Sequence, residues 1–600
     1  MLVYNENINS TLALFKQTVD QAKFFSFDCE MTGVTLSPET DGTKFDTQQA
    51  RYSKLREVVR AFDLIQLGMT FYIPSVRQVN AEEIYIERTF NFYLFKNSKL
   101  RSVNKPLVNS DLTCHPAALK FLNENKFDLN VLVNKGIHYN KLKKEEDIKQ
   151  LILEEPFLMT SSGFYLSTVN EEDLINVIFQ ITEFLLTNHE DPNDKHKNKK
   201  YKEFTFNSKQ TMLYFLGCNL KKILHLSDFT INKDKTKENT IIIEKTKRLI
   251  SCEEFNKAYK KIKKFQDRIK NHKHLIYQNR FQISCQPNEE TINDLIFEEL
   301  GFSKMYIEYI INKKIPIIGH NIFMDIMFIY DKFIDDLPED YYKFKQKVHE
   351  NFPIMYDTKT IAMKLKKYDN TKLENLYKIM SKNKYTTYVN FCADVANGFC
   401  LYHDLDNKLL HDAGYDSVIT GRCFVLMNKA LQNEYQISEM KAIEHCIGEK
   451  IITNEKKIEI KKGFIDLSLF DSYKNISEVS LVESLINFDT TIETKEAFIE
   501  GELKLIREQF KNVFVLCFRN NCVMNVYEIA NLIENDDFDI SIVKKGFYSA
   551  FIELTSTISN IEEEQEQIKK FLEQIKNDSI ENILSIEEYY NNKYKYSISK

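Results

Sequence analysis

An apolar run that ends in two carboxylates one residue apart constrains this chain more than any other feature: "FFSFDCEMTGV", residues 24–34. Phe24, Phe25 and Phe27 read as a short buried strand bounded by Gly33. Side chains two apart on a strand share a face, so Asp28 and Glu30 emerge together at the strand's C-terminal end. Like charges so placed repel unless something cationic sits between them. The stretch alone leaves two readings open: a site organised around positive charge, or a strand running into water with two ordinary surface acids.

Two later stretches carry chemistry of the same kind. In "IPIIGHNIFMDIMFIYDKF", residues 315–333, positions 315–318 suit a buried strand, Gly319 a turn and Asn321 a helix N-cap. Asp325 then falls one turn into a helix among Phe323, Met324, Ile326, Met327 and Phe328. A carboxylate buried there needs a partner, a proton or a metal, unless it shares a polar stripe with Asn321. In "HDAGYDSVITGRCFVLMNKAL", 411–431, the latter half is an amphipathic helix with Val418, Ile419, Phe424 and Met427 available for a core. His411 and Asp416 would lie about 140° apart on one continuous helix. Gly414 relaxes this, letting His411 sit on the entering loop while Asp416 projects from the first turn.

Occurring together in this order, the three stretches resemble the exonuclease superfamily named for its Asp-Glu-Asp-Asp residues, in the subclass with a His five residues before the last Asp. Within it the chain resembles the poly(A)-specific ribonuclease family. "FDCEMTGV", "IIGHNIFMDIMF" and "HDAGYDSVITGRCF" match that family's three motifs. "RYSKLREVVRAFDLIQLG", "TFNFYLF", "FLNENKFDLNVLVNKGIHY" and "FPIMYDTKTIAMK" match supporting blocks, so the likeness covers roughly 20–160 and 250–430. The resemblance implies that Asp28, Glu30, Asp325 and Asp416 ligate metal and that His411 is the general base. It implies two Mg²⁺ ions, with Mn²⁺ able to substitute, about 3.5–4 Å apart around the scissile phosphate. A histidine of unperturbed pKa about 6.5 can take a proton from water near neutral pH. Met31 replaces the usual aromatic residue after the first-motif Glu; it, His320 and Asn321 are candidate substrate contacts.

The resemblance also implies an α/β architecture: a ribonuclease H-like mixed-sheet nuclease split by a small single-strand-binding-like αβ insertion, then an RNA-recognition-module-like αβ domain. The expected boundaries are 1–165 and 251–435 for the nuclease halves, 166–250 for the insertion, 436–510 for a linker region and 511–600 for the C-terminal domain and tail. Lys209, Lys221 and Lys222 are the insertion's candidate phosphate contacts. In the last domain "NVFVLCF", "VYEIANLI" and "GFYSAFIEL" would be first strand, first helix and third strand. Phe547, Tyr548 and Phe551 are candidates to stack bases there, or to pack a core. The family's cap-binding tryptophan has no counterpart, because the chain contains no Trp.

Composition narrows the rest. Six hundred residues suggest two to four domains, and a formal net charge of −6 argues against a uniformly basic nucleic-acid coat while allowing a local groove. No apolar run suits a bilayer span, and no signal-peptide pattern opens the chain. Eleven cysteines without C-x-x-C pairs point to a reduced compartment, nucleus or cytoplasm, with neither disulfides nor structural zinc. The expected activity is 3′-5′ exoribonuclease, foremost a poly(A)-preferring deadenylase releasing 5′-AMP from single-stranded RNA 3′ ends. The alternatives are a 3′ trimmer of small RNAs such as piRNA precursors, and an inactive RNA-binding scaffold. A homodimer is expected from the resemblance, with the aromatic segments around Tyr72 and Phe92 as candidate glue or as core strands.

Overall fold

The computed structural model describes residues 1–75, 83–102, 105–106, 111–154, 157–159, 163–166, 180–181, 184, 201–205, 229–234, 236–237, 239–245, 260, 282–285, 289–365, 370–382, 389–402, 411–446, 467–477, 486–489, 495–519, 522–535, 538–544, 548–556, 560–576 and 578–591. They fall into two compact units. One comprises Met1–Phe95, Leu112–Ile137 and Met305–Lys600, the other Lys96–Asp111 and His138–Lys304.

The first unit is built on a seven-stranded mixed sheet. Its strands are β1 (Leu2–Val3), β2 (Phe24–Met31), β3 (Leu64–Pro74), β4 (Glu83–Tyr93), β5 (Ile317–Gly319), β6 (Met355–Asp357) and β7 (Val389–Ala393). The order is β1-β4-β3-β2-β5-β6, with β7 also paired to β4. The pairs β2–β3 and β3–β4 are antiparallel, whereas β5 lies parallel to both β2 and β6. A strand central to such a sheet is covered on both faces, so it reads as an apolar run without alternation. β3 obeys this, being buried from Leu64 to Ile73.

Helices cover both faces of that sheet. Helix α1 (Ile8–Gln21) sets Phe15 edge-on against Phe71, Phe90 and Phe92, at 5.6, 5.1 and 5.7 Å between ring centres. On the opposite face runs the long helix Ala413–Cys446, whose Phe424 meets Phe24, itself stacked on Tyr72 at 4.9 Å. Tyr72 is 0% exposed and Phe92 1%. The segments offered as dimer glue are therefore core: their rings are spent on the sheet's own two faces and present no self-complementary patch. Among the described residues no helix is long and apolar enough to cross a membrane.

The first unit also holds a second sheet near the C-terminus. Its strands are β8 (Val513–Phe518), β9 (Asp539–Lys544), β10 (Ser549–Thr555) and β11 (Ile580–Ser585), in the antiparallel order β9-β10-β8-β11. Helices Val526–Leu532 and Ile561–Gln574 connect β8 to β9 and β10 to β11, the split β-α-β arrangement. The first of these helices begins on a capping box, Asn525 with Glu528.

The second unit contains an antiparallel sheet of Tyr201–Thr205, Thr240–Lys245 and Phe229–Lys233, with Ile241 and Ile243 fully buried. A further sheet joins Gln282–Cys285, Gly163–Leu166, Phe157–Met159 and the short strands Arg101–Ser102 and Lys105–Pro106. Leu100, Ile148, Ile152, Leu295, Ile296 and Leu300 form a core of this unit. The helix expected across 208–226, with Lys209, Lys221 and Lys222, lies outside the described residues, as does the basic helix expected at 257–273 except for Lys260.

Candidate metal centre

One sheet strand and two helix starts deliver the acidic residues. On β2, Phe24, Ser26, Asp28 and Glu30 share one face by strand alternation. The face is fixed by helix α5, as we label Ala413–Cys446: Ser26 Oγ donates to the Ser417 carbonyl at 2.6 Å. Running back along the helix from there, Asp416 reaches the β2 carboxylates. Glu30, His411 and Asp416 bring ligand atoms within 4.8 Å of one another. The β2–β3 register slips between Glu30 and Met31, a bulge that re-aims the strand just where the second carboxylate must be placed.

Close approach of α5 to the sheet depends on β3. Gly68 stands opposite Asp28, and a Cβ there would meet the Ala413 carbonyl oxygen at 2.0 Å. Beside it Gln66 grips the helix start with both ends of its amide. Its Oε1 accepts from Ala413 N at 3.0 Å, and its Nε2 donates to Asp412 Oδ2 at 3.4 Å. Asn91 of β4 donates to Asp412 Oδ1 at 2.9 Å and to the Tyr402 hydroxyl at 2.7 Å. The clamp leaves His411 just outside the helix, in the left-handed conformation at φ 65°, with its N–H donating to Asp416 Oδ2 at 3.0 Å. The loop position anticipated for His411, with Asp416 in the first turn, is what the backbone adopts. The exposed ring of Phe121 packs edge-on to the imidazole at 4.7 Å between centres.

The second motif is shaped differently from its sequence reading. Asn321 does not cap the helix α4 (Phe323–Ile329): Ile322 occupies the N-cap position and no side chain caps there. Asn321 instead takes a left-handed turn, φ 63°, and donates its own N–H to Asp357 Oδ1 at 2.9 Å. Asp357, fully buried at the end of β6, also accepts from Ile322 N, Lys359 N, Thr360 N and the Ser477 hydroxyl. A carboxylate with that many donors is a rigid hub: it holds the Asn321–Ile322 turn and caps the helix that follows it, Thr358–Leu365. His320 is tied to the Thr358 hydroxyl at 2.9 Å, and burial pushes its imidazole down to about 4 against the pull of Asp357, so it is neutral near pH 7.

Electrostatics decides what the acidic cluster can hold. Burial, then the charges of Asp416, Asp325, Glu30 and Asp412, hold the Asp28 carboxyl well above the usual range. Glu30 is raised well above it by burial and then by Asp416, Asp412 and Asp325. Burial pushes Asp325 up to about 8, partly offset by a hydrogen bond from the Cys29 thiol, and Asp416 up to about 7, partly offset by the His411 N–H. Among the described residues no Lys or Arg forms an ion pair with any of the four. Four oxygen donors that repel one another and lack a cationic side chain fit hard divalent cations. The donor set thus agrees with the metal-binding expectation in its chemistry.

The remaining sequence candidates lie apart from this cluster or outside the description. Met31 is partly exposed beside it, at the end of β2. Phe551 belongs to the C-terminal sheet, Tyr548 lies just before its strand Ser549–Thr555, and Phe547 lies outside the described residues. Tyr548 is 46% exposed, but Phe551 is 0% exposed. Phe551 therefore cannot stack a base in this arrangement; its ring packs on Phe45 at 5.3 Å. Phe121, Gln66, Asn91, Asp357 and Asp412 were not foreseen from the sequence, although all five lie inside blocks already matched to the family.

Residues 3–424 match the CAF1 family ribonuclease. The chain belongs to that family. It is 26% identical over 441 residues to the human poly(A)-specific ribonuclease PARN, an alignment covering 71% of this chain and 62% of that protein. To the Arabidopsis thaliana PARN it is 24% identical over 447 residues, 70% of this chain and 62% of the relative. To the mouse poly(A)-specific ribonuclease PNLDC1 it is 24% identical over 422 residues, 69% of each chain. Matched residues therefore span about three fifths of the PARN relatives' own length, 62% in the human protein. A solved Pop2p from S. pombe in its Mg²⁺- and Mn²⁺-bound form overlays 70% of this chain and 89% of its own, with 13% identity and a TM-score of 0.29. At that distance it does not bear on the site.

Proposed function

We propose that this CAF1 family ribonuclease is a divalent-metal-dependent 3′-5′ exoribonuclease that prefers poly(A), releasing 5′-AMP from single-stranded 3′ ends. The observation that carries the reading is the convergence of Glu30, Asp416 and His411 within 4.8 Å, beside Asp28 and Asp325, with no cationic side chain among the described residues paired to the acids. The names of the curated relatives support the poly(A) preference.

Asp28, Glu30, Asp325 and Asp416 would hold two divalent ions, Mg²⁺ foremost. Such ions lower the pKa of a bound water and offset charge on a departing 3′-oxygen. The chain's own work is then positional and protonic. Burial lowers the His411 imidazole below its ordinary value, so the ring is neutral at pH 7 and can accept the water's proton. Its backbone is held by Asp416 and its ring flanked by Phe121, which fixes the direction from which that proton is taken. Met31 and Phe121 offer an apolar surface beside the cluster on which a terminal base can rest, and Val34 and Leu36 stand exposed in the connection that follows Met31. The β8–β11 domain is the RNA-recognition-module-like part expected from sequence, and its strand order supports that assignment.

The test is digestion of one 5′-labelled RNA carrying an A-tail beside matched U- and C-tails, with and without Mg²⁺. Faster, Mg²⁺-dependent shortening of the A-tail with 5′-AMP as product is expected. Equal rates on all tails would replace the poly(A) preference with general 3′ trimming. No shortening of any RNA with Mg²⁺ or Mn²⁺ would overturn the enzymatic reading.

A further inference from the structure

The C-terminal sheet has two apolar faces, and each is already covered. Leu516 and Phe518 of β8 and Ala550, Ile552 and Leu554 of β10 pack beneath the two connecting helices, against Ile529, Ile568 and Phe571. Alternation sends Val513 and Val515 of β8, and Phe551 of β10, to the opposite face. That is the face on which a four-stranded RNA-recognition module stacks bases on its aromatic side chains. Here it is filled by Ile506, Phe510, Ile586 and Tyr590 together with Phe45, which lies in the connection that follows the Asp28–Glu30 strand.

The contact is built in detail. Phe45 is 1% exposed, edge-on to Phe510 at 5.6 Å and against Phe551 at 5.3 Å, and its carbonyl accepts from the Tyr590 hydroxyl at 2.9 Å. Lys44 pairs with Glu553 on β10. The next helix, Gln48–Ala61, begins at Thr47, and the buried Glu502 of helix Lys495–Gln509 accepts from Gln48 N at 3.1 Å and Gln49 N at 3.4 Å. A carboxylate placed at a helix N-terminus is favoured by the orphan N–H groups and the helix dipole. At its other end the same connection is pinned immediately beyond Met31. Thr32 accepts from Asp63 N through its hydroxyl at 2.9 Å, and that hydroxyl donates to the Thr113 carbonyl at 2.6 Å. Between the two anchors Val34 and Leu36 stand exposed, at 51% and 44%.

We propose that the second face of the C-terminal sheet is a docking surface for the chain's own residues 44–49, and that this docking positions the 33–43 strap as a wall of the RNA path. On this assignment Phe45 is a positioning residue, and RNA does not lie on the Val513–Val515–Phe551 face. The C-terminal domain contributes to RNA handling by stretching the strap beside the acidic cluster. The proposal rests on the exoribonuclease reading above for its kinetic consequence, but not for the docking itself.

The test compares Phe45→Ala, Phe45→Met and Glu502→Gln in the full chain. Two readouts are needed: amide hydrogen exchange across residues 33–47 without RNA, and KM against kcat on an oligoadenylate. Phe45→Ala should speed exchange in the strap and raise KM about tenfold or more, leaving kcat within about twofold. Phe45→Met keeps an apolar plug and should restore KM to within about twofold. Glu502→Gln, which leaves Phe45 seated, should raise KM by a smaller factor, and it decides the matter should Phe45→Ala fail to fold. Strap release with unchanged KM would overturn the positioning role. Photo-cross-links from bound RNA to 513–515 or 551 in the unsubstituted chain would overturn the docking assignment. An unsubstituted chain inactive on every RNA would sink the enzymatic reading alone, since exchange still reports the docking.

Discussion

Asp28 and Asp416 sit where charge is most crowded, and single substitutions there separate repulsion from function. Asp28→Ala or Asp416→Ala should abolish RNA hydrolysis, because each removes an oxygen donor from the proposed metal site. Each should also raise the thermal midpoint of metal-free protein, since one repelling charge is gone, while erasing the rise that Mg²⁺ gives the unsubstituted chain. More than about a tenth of the unsubstituted rate in either variant would sink the metal assignment. His411 is proposed to act on the proton. Its conjugate acid titrates below the ordinary 6.5, so the rate should climb with pH along a limb centred below that value and then level. His411→Ala should be slower by about 10²–10⁴-fold at pH 7 and lose the limb, yet still bind Mg²⁺. Near-normal turnover at pH 7 would make the imidazole structural.

At the scale of elements, the approach of helix Ala413–Cys446 to the sheet is the critical dimension. Gly68→Ala puts a methyl group 2.0 Å from the Ala413 carbonyl oxygen, backbone that cannot rotate away as a side chain could. Such overpacking costs about 1–3 kcal/mol and here forces the helix start outward. His411 and Asp416 move with it, so activity should fall at least tenfold in a protein whose circular dichroism is unchanged; equal kcat and KM would show that the helix start absorbs the methyl group. The same spacing explains what the sequence made legible. Phe24–Met31 and the His411–Asp416 turn are local patterns, and both are readable because alternation and a glycine-relaxed helix start depend on neighbours in the chain. Asn321 was misread because a partner distant in the chain takes it: Asp357, 36 residues away, holds its N–H, and the helix that follows starts with no side-chain cap. Phe551 was open for the same reason. A strand's alternation tells which residues share a face but not what covers that face, and Phe45 lies 506 positions upstream in the numbering. Gln66 and Asn91 carry no signature at all, since a buried amide becomes a clamp only once Asp412 is folded against it.

For the molecule as a whole, the acidic cluster links folding to pH and to metal. Asp325 at about 8 and Asp416 at about 7 hold their protons far more tightly folded than at the ordinary 3.8 of an unfolded chain. At these two groups the unfolded state binds fewer protons than the folded one between pH 4 and pH 8, so their contribution falls as pH rises and outweighs the opposite slope of His320, lowered to about 4. The contribution is fully present below about 4 and is lost as pH passes through about 7 and 8. In the proposed metal site, divalent cations would compete for the same oxygens, bind the ionised folded state and add stability by mass action, increasingly so toward high pH. Thermal melts in EDTA should thus show a midpoint declining from pH 5 to pH 8, and in millimolar Mg²⁺ that decline should flatten or reverse. The Mg²⁺-induced shift should grow with pH and vanish in Asp28→Ala. A midpoint in EDTA that rises across this range would mean that the four carboxylates are ionised in the metal-free fold, and that the repulsion inferred among them is already relieved by something other than protons.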